Sequence, residues 1–214
     1  MQRFKLWLTA AALLLTVLLS ACSDGNNSAN RNREPELLPV AMPTVELPPE
    51  IGQPVLISTT FDLAEVGFVQ EEFFLSGTAS SFRNLNELGR DGRWEAEPAE
   101  TADYRTRVVV YRPINEEDFS GTVVVEWMNV SEGFDVPYGW ALSHVKALRS
   151  GDAWVEVTAQ RVGIEGSDNA IFPLYLRAAD PERYASLDHP GDSFSYDMFS
   201  QVTSVVRDAG ENSI

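Results

Sequence analysis

The sequence predicts an α/β fold, in which an N-terminal ribbon of two strands is followed by a parallel βαβ unit and a further helix. Three observations carry this: two β-rich runs broken by glycine and proline, two apolar runs flanking a segment of helical period, and a last amphipathic segment. Phe68–Ser76 (FVQEEFFLS) stops at Gly77, and Arg105–Arg112 (RTRVVVYR) ends at Pro113. Gly89, Gly92 and Pro98 mark the loop between them, and the two runs are expected to pair antiparallel as an edge ribbon. Thr122–Val130 follows Gly121, and Asp152–Gln160 follows Gly151. The continuous run Val123-Val124-Val125 suits a strand covered on both faces. Between these strands, Gly139–Ser150 places Ala141, Val145 and Leu148 on one helical face, with Leu142 beside them. Lys146 and Arg149 lie near its C-terminus, and Gly151 suits a left-handed cap. Strand, helix, strand is the βαβ pattern of a parallel sheet. From Tyr196 to Asp208, Phe199, Val202, Val205 and Val206 recur at helical spacing, and Gly210 would end the helix. Such an open sheet leaves a strand edge uncovered. The expectation is that the chain stops before the strand its last helix leads into, or that another chain supplies it.

Ahead of these elements the sequence reads as an address and a tether. Arg3 and Lys5 precede an apolar stretch, Leu6–Leu19, of 14 residues. That is short for a bilayer span of about 20 residues but suits the apolar region of a signal peptide. It ends in Leu19-Ser20-Ala21-Cys22, which resembles the bacterial lipobox, so residues 1–21 are expected to be removed and Cys22 lipidated. A plain secretory signal with an incidental cysteine, or an uncleaved anchor, are the other readings. Two or more acyl chains, at about 0.8 kcal/mol per buried methylene, would hold the protein on a membrane. Ser23 after the cysteine leans towards the outer membrane of a cell envelope. Residues 22–54 hold Pro35, Pro39, Pro43, Pro48 and Pro49 among Asn and Ser, a composition expected to form a disordered tether. The alternative is that Leu37–Leu47 packs along the domain as an irregular arm. Residues 55–214 form the folded part.

Composition narrows the function. The 214 residues carry 16 basic and 32 acidic side chains, a net charge of −16, which excludes nucleic acid as a partner. One cysteine excludes an intramolecular disulfide framework, and two histidines exclude a His-rich metal site. No cofactor is expected.

Five strings then resemble, in order, the bacterial alpha/beta-hydrolase-domain family of secreted and lipoprotein esterases. They are Tyr104-Arg105-Thr106-Arg107, GTVVVEWMNVS at 121–131, WVEVTAQRVG at 154–163, Asp180-Pro181-Glu182-Arg183-Tyr184, and HPGDSFSYDMFSQ at 189–201. The resemblance implies an incomplete alpha/beta-hydrolase-type sheet, the N-terminal half of a serine hydrolase acting on a small-molecule ester or related acyl bond. It implies that the nucleophile elbow, the acid and the histidine come later than Ile214, in a missing C-terminal half or a partner chain. No G-x-S-x-G motif occurs in the sequence, so no catalytic residue is assigned within it. What this half of the fold would supply is an oxyanion-hole N–H after the third strand, which maps to Asn129, Val130 and Ser131. The plainer reading is that Asn129 hydrogen-bonds a turn.

Other tempting residues read as structural. Gly191-Asp192-Ser193 imitates a serine-hydrolase block, but Ser193 or Ser195 is expected to cap the last helix. His189 beside Asp188 is expected to be a loop histidine, and His144 a surface or satisfied one. Glu116-Glu117-Asp118 reads as a solvated turn rather than a calcium site, and Trp127, Trp140 and Trp154 as packing residues. A non-catalytic lipoprotein that binds a partner through its open sheet edge is the alternative to a hydrolase half. The Cys22 reading predicts that metabolic palmitate labels the wild-type chain and not Cys22→Ala; equal labelling of both would remove it.

Overall fold

The computed structural model describes residues 40–168, 170 and 172–208. The signal segment 1–21, Cys22, the tether as far as residue 39, and Gly210 therefore lie outside the described residues. In chain order the elements are β1 (Thr44–Glu46), β2 (Phe68–Asn84), β3 (Ala96–Pro113), β4 (Val123–Trp127), α1 (Tyr138–Ser150), β5 (Ala153–Val157), α2 (Arg161–Glu165), α3 (Leu176–Ala179) and α4 (Ser195–Arg207). The strands form one sheet in the order β1-β2-β3-β5-β4. Only β4 and β5 are parallel, with Val125 beside Val155; β1/β2, β2/β3 and β3/β5 are antiparallel. The fold is thus mixed α/β, with the strand ribbon, the parallel βαβ unit and the last helix in the expected order.

The ribbon lies inside the sheet rather than at its edge. β1 pairs with β2 through Val45 and Leu75, so residues 40–54 are not a free tether from end to end. Pro43 and Pro48 bracket the short strand, and an edge is where a chain poor in N–H donors can still pair. The next turn is held by its carbonyls. Arg183 Nη1 donates to Pro49 O and Ile51 O, each at 2.9 Å, and Arg107 Nη1 donates to Val55 O at 2.7 Å. The arm laid along the domain is therefore what the structure contains from residue 40 onward.

Alternation in the central strands divides the core. Leu75, Val108, Val110, Val155 and Val157 face α4, where Val202 and Val205 close over them. On the opposite face Val109, Tyr111 and Trp154 meet Trp140 and Ala147 of α1, and Phe74 meets Ile164, Leu176, Tyr184 and Leu187. Helix α1 is turned away from its expected face. Trp140 stacks on Tyr111 at 4.2 Å between ring centroids and meets Trp154 edge-on at 5.8 Å, which fixes its rotation. Ala141 and Val145 consequently face outward, and Leu142 is 87% exposed. The helix ends as expected, with Gly151 at φ 73° donating to Ala147 O. A Cβ there would strike the Asp118 carbonyl.

Two further expectations change. β4 is half-buried along its whole length, since it lies at the edge of the sheet and not between two neighbours. Neither serine caps α4. Ser195 is the first helical residue, its Oγ buried and without a partner, while a 3-10 turn at Asp192–Phe194 leads in. Asp197, in the first turn of α4, instead accepts from Ser80 N at 2.6 Å and ties the helix to β2.

The opposite face holds charge. Glu72 Oε2 accepts from Arg183 Nε at 3.0 Å and Nη2 at 2.6 Å, while Glu72 Oε1 accepts from Tyr184 Oη at 2.8 Å. Removing one partner of a buried pair strands the other charge at a cost of about 3–5 kcal/mol. Arg183→Met is expected to lower unfolding stability in urea by that order. Arg83→Met, which breaks the exposed pair with Glu97, is expected to cost less than about 1 kcal/mol.

Candidate functional site

The C-terminal ends of β4 and β5 lie side by side, and the loop after β4 carries the candidate residues. Met128 N donates to Val157 O at 3.3 Å, continuing the parallel ladder one residue beyond the strand. Asn129 and Val136 then exchange both backbone hydrogen bonds, at 3.1 and 2.8 Å, closing the loop at its base. Within it Asn129 Oδ1 accepts from Ser131 N at 2.9 Å, and Gly133 N donates to Val130 O at 3.0 Å. Asparagine closes turns this way because its side-chain carbonyl reaches the amide two residues on. The three candidates therefore sit in one turn but are not equivalent. The Asn129 and Ser131 amides are engaged inside the loop, whereas the Val130 N–H has no hydrogen-bond partner among the described residues.

The loop is held from below by a carboxylate. Asp135 is buried, and its Oδ2 accepts from Thr158 Oγ1 at 2.5 Å and lies 3.7 Å from Arg107 Nη2. Gly163 of α2 makes room, since a Cβ there would overlap the Asp135 carboxylate. Burial raises the Asp135 carboxyl to about 6, against the pull of Arg107 and Thr158. One pleat along β5, Glu156 is also buried; Oε2 accepts from Ser58 Oγ at 2.9 Å, and Oε1 has no partner. Burial pushes Glu156 up to about 8, opposed by Ser58 and Arg107 and aided by Glu126 and Asp135. Burial works against the charge of Arg107, but Asp135, Tyr184, Glu72 and Glu156 outweigh it and raise its pKa. The guanidinium accordingly stays charged while Glu156 is neutral at pH 7.

Glu126 serves the start of α1. Its Oε1 accepts from Gly139 N at 2.6 Å and its Oε2 from Trp140 N and Trp154 Nε1, each at 3.0 Å. A carboxylate there satisfies first-turn amides and meets the positive end of the helix dipole. Pro137, at the capping position, has no side chain able to do this.

The histidines differ: His189 has both ring nitrogens engaged, His144 only Nδ1. His189 is buried; Nε2 lies 3.0 Å from Ala159 O, and Nδ1 accepts from Gly191 N at 3.1 Å. That pattern places the proton on Nε2. Burial lowers its pKa, partly offset by the Ala159 carbonyl, so the ring is neutral. His144 Nδ1 lies 3.1 Å from Trp140 O, within its own helix. Asp192 Oδ1 accepts from Arg161 N at 3.0 Å and so caps α2, leaving Ser193 exposed beside it. Beside α2, an open groove of about 580 Å³ is lined by Arg161, Glu165, Ser167, Asp168 and Asp192. Among the described residues, no serine hydroxyl is paired with a histidine, and no group of three or more His, Cys, Asp or Glu is arranged to hold a metal ion.

Sequence reasoning missed Glu126, Asp135 and Glu156. The available signal was an acidic residue inside an apolar strand in VVVEW and WVEV, where only a partnered or protonated carboxylate can stay. Asp135 gave no such signal, because its loop is polar.

This chain belongs to the alpha/beta hydrolase domain family, whose model matches residues 40–214. No curated protein and no solved structure matches it. An alpha/beta hydrolase domain suggests a hydrolase-type function, and the loop after β4 lies where open α/β sheets bind ligands, at the C-terminal ends of parallel strands.

Glu156 gives this site a testable pH signature. Its folded pKa, about 8, is raised above the ordinary 4.5. The stability it contributes is therefore full below the unfolded value and is lost as pH rises through the folded one. Between about pH 6 and pH 8 the melting temperature of the wild type should fall more steeply than that of Glu156→Gln, which has no proton to lose. Parallel slopes in scanning calorimetry would refute the assignment.

Proposed function

We propose that this chain is the oxyanion side of a membrane-tethered serine hydrolase acting on a carboxylic ester or related acyl bond. The observation that carries the reading is the Val130 N–H, directed by no partner among the described residues and placed after the outermost parallel strand. An amide already fixed in a closed turn needs no reorganisation when negative charge develops on an acyl oxygen, which is the basis of oxyanion stabilisation. The occupied ring of His189, the absence of any serine paired with a histidine among the described residues, and the buried Ser195 support the further point that nucleophile, acid and base come from outside these residues.

Their place would be beside β4. Its outer edge has no strand partner among the described residues. The adjoining sheet face opens as a cavity of about 600 Å³ lined by Phe73, Val110, Phe119, Val123, Val155 and Val206. A parallel strand on this edge would end level with the Val130 turn and could present a serine to it. The completed protein would take a small-molecule ester and no cofactor. Lipid on Cys22 would hold it in the cell envelope, at the outer membrane rather than the inner one.

A second reading, a non-catalytic lipoprotein that pairs with a partner through β4, is favoured by the same open edge. Reading the DNA beyond codon 214 separates the two: a continuing frame with a Gly-x-Ser-x elbow supports the hydrolase. The 214-residue chain alone is expected to show no turnover of a short-chain nitrophenyl ester. Turnover that a phosphonate inhibitor abolishes would overturn the assignment of the nucleophile to a segment outside it.

A further inference from the structure

The far end of the β2–β3 ribbon is unlike the rest of the molecule. As far as Ser80 the ribbon is supported by α4, through Asp197 on Ser80 N and through Gln201 Nε2 on Thr78 O. Beyond it, every residue from Phe82 to Ala96 is exposed. The tip is nevertheless built. Leu85 N donates to Glu95 O, Asn86 bridges Arg93 O and Glu95 N, and Asp91 Oδ1 accepts from Arg93 N. On this frame Phe82, Leu85, Leu88 and Trp94 are 40%, 56%, 57% and 59% exposed. Isolated exposed apolar residues are ordinary, but four large ones on one ordered tip mark a surface that is used.

We propose that this tip seats in the headgroup–acyl boundary of a lipid bilayer. Three features select a bilayer over a protein partner. A two-stranded tip is narrow, whereas a stable protein interface needs about 800 Å² from each side. Tryptophan and leucine with neighbouring arginine suit a boundary that is apolar on one side and wet on the other. The Trp94 Nε1–H already donates to Gly89 O at 2.9 Å, so the indole enters an apolar layer without leaving a donor unmet.

Two arginines on the tip are open to lipid phosphates. The chain carries −16 overall, which repels it from lipid phosphates. On the tip Arg83, Arg90 and Arg93 stand among Glu87, Asp91, Glu95 and Glu97, close to balance. Arg83 is paired with Glu97, and neither Arg90 nor Arg93 makes an ion pair among the described residues. The tip has two guanidiniums left for phosphate oxygens. This contact is distinct from lipid on Cys22 and does not depend on the hydrolase reading.

The test uses the full chain carrying Cys22→Ala, mixed with vesicles of phosphatidylcholine and phosphatidylglycerol containing brominated acyl chains. Bromine quenches only indoles in contact with the acyl region. The expected result is quenching with a blue shift of emission, and loss of that component in Trp94→Phe. Leu85→Ser with Leu88→Ser should reduce it severalfold, with circular dichroism unchanged. Equal quenching in the parent and in Trp94→Phe would overturn the proposal. So would self-association in the absence of vesicles that Trp94→Phe abolishes, which would assign the tip to a protein partner.

Discussion

Arg183 and Arg107 bring guanidiniums onto a sheet face from which water is excluded, and a charge in that position needs partners on several sides. Arg183 takes Glu72 of β2 and the carbonyls of Pro49 and Ile51; Arg107 lies between Glu72 and Asp135 and reaches Val55 O. Tyr184 closes the set by donating to Glu72 while accepting from Val55 N. The arm at 49–55, the central strands, the loop after β4 and the segment after α3 are thereby locked together. None of these segments could relax without leaving a buried charge or carbonyl unpaired.

The candidate oxyanion turn inherits its geometry from that lock. Asp135 is drawn inward by Thr158 and Arg107, and this fixes the base of the loop, where Asn129 and Val136 exchange hydrogen bonds. The Val130 amide is held by backbone on both sides and not by its own side chain. Glu126 adds a second constraint, since its carboxylate couples the start of α1 to Trp154 on β5. The same face accommodates Glu156 by keeping it protonated, so one buried surface holds two guanidiniums, the carboxyls of Glu72 and Asp135, and a neutral acid. Their protonation states follow from burial and proximity, not from residue type.

The five strings that resemble the family supply mostly this framework. Thr106 and Arg107, Glu126, Glu156 and Thr158, Arg183 and Tyr184, and His189, Asp192, Asp197 and Gln201 each make a hydrogen bond that joins separate elements. Sequence reasoning placed 104–107 and the apolar parts of 121–131 and 154–163 on strands and the end of 189–201 on the last helix, but it ran the strand at 152–160 past Val157 and did not see α2, which begins at Arg161. It could not read their roles, because each bond joins positions far apart in the chain. Gln201 and Thr78 meet only because α4 crosses β2.

What the sequence determined by itself was local and periodic: the two strand runs of the ribbon, the strand–helix–strand unit, the cap at Gly151, and the last amphipathic helix. Hydrophobic period and turn chemistry act over a few residues, and so they can be read in one dimension. Tertiary structure decided the rest. Trp140 turned α1 so that Leu142 and Val145 face outward, because stacking on Tyr111 outweighs an aliphatic stripe. Arg183 and β2 converted part of a proline-rich stretch into an edge strand and a pinned arm. The turn at 129–131 became two occupied amides and one free one. In the first two cases the deciding energy is a contact between residues tens of positions apart, which only the folded chain brings within reach; the turn closes locally but is held from below by Asp135 on Thr158.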